Sequence, residues 1–532
     1  MISGIDIFLL LSILLSCYGV PPPAFVTVTT PLGRIQGSQV PHYDNKILHV
    51  FYGVPYAEPP QRFKKPQPLQ PWSNTKSALF PGKICTQTIR PEVMESLPST
   101  DVSEDCLICD IYVPGHPSDQ NNKAVIIWFM GGEFQTGQAG LMPAADVTLD
   151  GDVIFVSVAY RVGIFGFLST GDDIIPGNFG LWDQKMAIEW VKANIKSFGG
   201  DPSKITLAGY EAGAISVSLQ AINPQNLGNF QRILVHSTFS NSKDILWHDA
   251  SQYAQLLASK MCQDNSGNVN TFTSQQIYDC LVSKSATELE TTASMSLPYN
   301  RFGYSVGPVI DNDFILETTD FTTLIPVDVL ISLVENEHFL KTYQELAPLE
   351  ARYKFLTAEK IPKAVICDNF IPYVINLLPG IQNTSVRDGV IKLVCDEYTS
   401  SDETEQSRNA VRIMGDFFHY YPVTELLLKH SKTNLDKNTY LCLFAAKSPL
   451  DTFSNEIKWL TGTIDGDELA YLFIVKMFQA IFPDISTEAI ATAAAINSYW
   501  TNFIKTGYVE FSYIKLTLFQ TVSIYTFIIH NN

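Results

Sequence analysis

Short, wholly apolar runs recur along this chain between longer amphipathic stretches. Ala124-Val125-Ile126-Ile127-Trp128-Phe129 and Val153-Ile154-Phe155-Val156-Ser157-Val158 are too short for helices and rich in β-branched residues, so they read as strands buried on both faces. Ile205-Thr206-Leu207-Ala208 reads as a third, and Val26-Thr27-Val28 with Gly33-Arg34-Ile35-Gln36-Gly37 as an opening hairpin. Helical segments such as Gln184 to Lys196 alternate with the strands. This alternation predicts an α/β fold with a large, mostly parallel central sheet and helices on both faces. The 532 residues would permit several domains, but no repeat, low-complexity tract or long linker divides them. One large domain over residues 20–507 is therefore expected.

The third strand runs into Gly209-Tyr210-Glu211-Ala212-Gly213, and a small-residue helical start, Ala214-Ile215-Ser216-Val217-Ser218, follows. Strand, Gly-x-x-x-Gly turn and helix is the pattern of a nucleophile elbow, whose central residue sits on a strained turn between closely passing elements. Upstream stand Gly177-Asn178-Phe179-Gly180-Leu181-Trp182-Asp183-Gln184 and Phe198-Gly199-Gly200-Asp201-Pro202. Phe51-Tyr52-Gly53-Val54-Pro55-Tyr56-Ala57-Glu58-Pro59-Pro60 lies near the start. Taken in order, these blocks resemble the type-B carboxylesterase/cholinesterase family, a branch of the α/β-hydrolases, from about Val26 to about Gly507.

The resemblance assigns roles by position. The loop Met130-Gly131-Gly132-Glu133-Phe134 matches the oxyanion-hole loop, so the donors would be the backbone N–H groups of Gly132, Glu133 and Ala212. The triad positions fall at Glu211, Glu337 and Asp465, where the family has Ser, an acid and His. In that mechanism Ser attacks the carbonyl, His moves its proton and the acid orients the His. Glu211 cannot form the same intermediate, and an aspartate returns a proton near pH 7 only with a much raised pKa. Glu133 adds a carboxylate beside a hole that exists to stabilise negative charge. Together the three replacements imply loss of ester hydrolysis.

A rescue is conceivable, because some α/β-hydrolases place an Asp at the elbow and form an alkyl-enzyme ester. They still need a His to activate water, and none stands at the matched position; His338 reads as an ordinary loop residue. Ser216 and Ser218 read as packing residues of the elbow helix. Choline esters are not the expected ligand. The loop between Cys85 and Cys106 holds no Trp, and Tyr210 replaces the acidic residue that cholinesterases place before the nucleophile. If Glu133, Glu211, Glu337 and Asp465 converge on one pocket, protons, basic side chains or a cation such as Ca²⁺ must compensate them. The expected outcome is protonation or rotation of Glu133 and Glu211 toward solvent. No cofactor and no resident metal is expected.

The net charge of −18 argues against nucleic acid and anionic membranes as partners. Residues 1–19 read as a signal peptide, with an apolar Ile7–Leu15 core and small residues at Cys17 and Gly19. A lipoprotein signal at Leu14-Leu15-Ser16-Cys17 is the alternative. The resemblance implies disulfides Cys85–Cys106 and Cys262–Cys280; a Cys367–Cys395 pair stays open, and Cys109 and Cys442 read as buried thiols. Asn383 opens the sequon Asn383-Thr384-Ser385. Residues 508–532 form an atypical tail, expected to pack on the domain or stay disordered, with a membrane anchor as the alternative.

Non-catalytic relatives such as neuroligin-like proteins serve extracellular adhesion. The expected role is therefore a secreted binding protein for an extracellular protein or small-molecule ligand, with a homodimer possible from the family's habit. An active carboxylic-ester hydrolase and a carrier using the old active-site gorge are the alternatives.

Overall fold

A computed structural model describes residues 24–42, 45–87, 101–118, 122–237, 246–262, 271–296, 306–337, 361–377, 384–446, 460, 462–475, 485–509 and 524–528. The signal segment 1–19, Asn383, His338 and most of residues 508–532 lie outside them. The fold is α/β, with a large mixed sheet and helices. By packing, the chain divides into two compact units: residues 1–233, 245–320 and 504–507, and residues 234–244, 321–503 and 508–532.

In the first unit the strands lie in the order Phe25–Thr30, Gly33–Val40, Leu48–Pro55, Ile108–Pro114, Ile154–Val158, Lys123–Phe129, Gly200–Tyr210. The opening strands pair antiparallel, as the two-residue connection at Pro31-Leu32 requires. From Ile154–Val158 onward the pairing is parallel, with Phe129 opposite both Val158 and Gly209. The expected mostly parallel sheet is thus parallel where it carries the elbow and antiparallel toward the N-terminus. The apolar runs explain why: Ile127, Phe129, Phe155, Val156 and Leu207 are fully buried, as strands covered on both faces must be.

The signature preceding the elbow is a set of internal ties. Asp183 holds Arg161 in a bidentate pair, with Nε–Oδ2 and Nη2–Oδ1 both at 2.7 Å, and both side chains are buried. Asn178 exchanges two hydrogen bonds with the Val309 backbone. Gln184, on the helix Phe179–Asn194, donates to Ser216 Oγ at 2.9 Å and so fixes that helix to the elbow helix Ala212–Ile222.

In the second unit Asp328–Val334 pairs parallel with Thr439–Phe444, and Ile524–Ile528 of the tail adds antiparallel to the latter, Tyr440 opposite Ile528. Disulfides join Cys85 to Cys106 and Cys262 to Cys280, as the resemblance implies, and Cys367 to Cys395, which the sequence left open. The third bridge ties the π-helical turn Ile366–Phe370 to the helix Thr384–Tyr398, beside a core of Ile366, Phe370, Val374 and Met414. Cys109 is buried and Cys442 half-buried.

Candidate functional site

The elbow keeps its geometry despite its changed centre. Glu211 has φ 53° and ψ −119°, a conformation that side-chain-bearing residues rarely adopt. Two close approaches enforce it. A Cβ on Gly209 would lie 2.5 Å from the Gly213 carbonyl, and one on Gly213 would lie 2.0 Å from the Phe129 carbonyl oxygen. Glycine is therefore obligatory on both sides of the turn. Ser216 and Ser218 are buried and donate to the Ala212 and Ala214 carbonyls, so they pack the helix.

The loop facing the elbow is equally constrained. A Cβ on Gly132 would meet the Thr136 carbonyl oxygen at 2.3 Å, and that loop closes through Gln135 and Thr136 N–H bonds to the Gly132 oxygen. The Tyr160 hydroxyl donates to the Met130 oxygen at 2.8 Å, and the buried Phe134 ring packs on Phe167. Glu133 sits at φ 56°, in the left-handed region, so the backbone keeps a glycine-like shape under a side chain that disfavours it.

These two elements meet through one carboxylate. Oε2 of Glu211 accepts the Gly132 N–H at 2.7 Å and the Glu133 N–H at 2.9 Å. Two of the three donors that the resemblance assigns to an oxyanion are thus engaged by the residue that replaced the nucleophile. Ala212, the third assigned donor, opens the elbow helix and is buried. Burial, and then the Glu211 charge, hold the Tyr160 phenol well above its usual range. Of the two residues expected to be protonated or turned toward solvent, Glu133 is exposed, whereas Glu211 is half-buried with Oε2 on the two amides. The reason is local: a carboxylate gains two charge-assisted bonds from amides already turned toward it.

The second unit carries the other assigned positions. Glu337 follows the strand Asp328–Val334, and its Oε1 accepts the Val334 N–H at 2.7 Å. Asp465 lies on a loop pinned next to it: Asn336 and Thr463 share backbone and side-chain bonds at 2.9 and 3.0 Å, and Thr463 Oγ1 donates to the Phe444 oxygen at 2.6 Å. Burial first, then the Asp465 and Glu468 charges, push the Glu337 carboxyl well above its ordinary range.

Sequence reasoning missed the buried histidines around this pair. His236 ends an apolar strand, with Nδ1 3.2 Å from Glu468 Oε1, and its ring packs on Trp500. His419 lies in an aromatic run and donates from Nδ1 to the Ser237 oxygen at 2.6 Å, 4.0 Å from Glu337 Oε2. Burial lowers both imidazoles, His419 to about 4, and raises Glu468 to about 7. A lone histidine inside each apolar run was the available signal. Among the described residues no group of three or more His, Cys, Asp or Glu is placed to hold a metal ion.

A large mixed sheet, a strained strand–turn–helix elbow and a glycine-shaped amide loop define an α/β-hydrolase. The profile of the Carboxylesterase family matches residues 24–515, and the chain belongs to that family. It is 28% identical to human Carboxylesterase 5A, over 90% of this chain and 81% of that protein. Acetylcholinesterase 1 of Caenorhabditis elegans is 31% identical, over 88% and 77%. Mouse Neuroligin-3 is 29% identical over 90% of this chain and 61% of its own length.

Proposed function

We propose that this chain is a secreted, non-hydrolytic member of the Carboxylesterase family that acts in extracellular binding or adhesion. One observation carries the reading: Glu211 Oε2 takes both the Gly132 and Glu133 amides. An attacked ester would need those donors for its developing oxyanion, and would find no hydroxyl at the elbow to attack it. Asp465 is a carboxylate at the position where an ester hydrolase of this family would need an imidazole to move the proton. The likeness to Neuroligin-3 over 90% of the chain supports a binding role, and no helix among the described residues is long and apolar enough to cross a membrane.

The test is hydrolysis of short acyl p-nitrophenyl esters by the secreted chain. The expected rate equals that of Glu211→Ala and of buffer. Turnover that Glu211→Ala abolishes would establish the chain as an active ester hydrolase instead.

A further inference from the structure

We infer that the far end of the elbow helix carries a docking pocket for one aliphatic side chain of a partner protein, flanked there by basic residues. The inference deepens the binding role proposed above and rests on that reading. The pocket is a cavity of about 90 Å³ between Leu219 and Ile222, at the end of the helix Ala212–Ile222, and the turn bearing Phe314, Ile315 and Leu316. Leu316 is 43% exposed, so the cavity reaches the surface.

The polar side chains around it serve to hold the walls. Asn223 Nδ2 donates to the Phe314 oxygen at 3.3 Å, and its Oδ1 accepts the Gln225 N–H at 2.9 Å. Thr319 Oγ1 accepts the Leu316 N–H at 2.9 Å, and Asp311 Oδ1 gathers the N–H groups of Asp313, Phe314 and Ile315. The Phe314 ring stands edge-on to Trp182, and Lys65 lies over that Trp and pairs with Asp313. The cavity is thus preformed, with an apolar interior.

Size and lining select the occupant. A cavity of about 150 Å³ holds benzene, so this one holds about four carbons, the side chain of Leu or Ile. Small-molecule sites use a few placed polar groups to fix a free ligand's orientation, and here such groups are engaged in the walls. An aliphatic knob oriented by the partner's own surface suits this pocket. Charge selects the knob's neighbours. Residues 311–320 carry Asp311, Asp313, Glu317 and Asp320 and no Lys or Arg, while Lys65 offsets one of them. Lys or Arg beside the aliphatic residue complements that rim.

The experiment selects phage-displayed random linear peptides on the full secreted chain, with counter-selection on Leu316→Trp, whose indole fills the cavity. Enriched peptides should share a Leu, Ile or Val flanked by Lys or Arg. Once synthesised, they should bind wild type at least about tenfold more tightly than Leu316→Trp. They should lose a similar factor when the aliphatic residue becomes Ala, and weaken as salt rises. Peptides that bind both chains equally, or that tolerate Ala, would overturn the inference, as would a selection that fails to separate the chains. Self-association that Leu316→Trp abolishes would place a second copy in the pocket and overturn the partner assigned. Leu316→Asp serves where Leu316→Trp fails to fold, and the Ala peptides read the anchor on wild type alone. Ester turnover is measured on the same preparations, so failure of the proposed function is told apart from failure of the pocket.

Discussion

The Gly132 amide donates to Oε2 of Glu211 at 2.7 Å, joining the loop that would stabilise an oxyanion to the residue that would generate one. The bond makes the replacement more than a missing hydroxyl. It converts a site for transient negative charge into one occupied by a resident negative group.

That bond carries stability as well as blockage. Glu211→Ala leaves the Gly132 and Glu133 amides without their charged acceptor, and should lower unfolding free energy by roughly 2 kcal/mol. Glu211→Gly loses the same bonds but relieves the strained φ of 53°, and should recover about 1 kcal/mol. Denaturant unfolding of both variants checks the order. Equal stabilities would mean the turn stores no strain.

Reversion of the elbow alone should restore little. Glu211→Ser frees the cradle but finds no base at Asp465, and triad residues act as a unit. Glu211→Ser with Asp465→His and Glu133→Gly should give measurable hydrolysis of p-nitrophenyl acetate. A folded but silent triple variant would show that the acid at Glu337 is not placed to support a histidine.

Stability should depend on pH through the second unit. Burial raises the Glu468 carboxyl from 4.5 to about 7 in the folded chain, so the folded state binds that proton more tightly. Its contribution is present below about pH 4.5 and is lost as the pH rises through about 7. Glu337 acts with the same sign. His419, lowered from 6.5 to about 4, acts oppositely, and its contribution is lost as the pH falls through that window. Melting temperatures of Glu468→Gln should therefore decline less than wild type between pH 5 and about 7. An unchanged slope would remove Glu468 from the account.

The Cys367–Cys395 bridge closes a loop with a sequence separation of 28. Replacing both cysteines by serine should cost roughly 3–4 kcal/mol in the chain-entropy model. Thermal unfolding before and after the double substitution measures it.

Much of this was legible in the sequence because backbone contacts, not side-chain preferences, set the motifs. Gly209 and Gly213 are fixed by carbonyl groups within 2.5 Å, and Gly132 by Thr136, so the elbow and its loop can be found whatever residue sits between. The strands at 123–129 and 154–158 were visible for the same reason that their side chains are buried. The direction of the Glu211 side chain was not visible. It depends on where two amides point, and φ values of 132° at Gly132 and 56° at Glu133 set that, which no residue pattern encodes. His236 and His419 were missed because a histidine in an apolar run looks the same whether it faces a carboxyl or a core. The Cys367–Cys395 pairing needed the π-helical turn at Ile366–Phe370, which periodicity does not reveal.

The most direct test of the central claim is labelling of the secreted chain by a fluorophosphonate probe, read by mass spectrometry. A phosphonate needs a nucleophilic hydroxyl at the elbow and a vacant amide cradle for its oxygen, and Glu211 removes both. The account predicts no stoichiometric label on wild type, and none above background on Glu211→Ala. One equivalent of label on the wild-type chain, at any serine, with parallel loss of ester turnover, would contradict it.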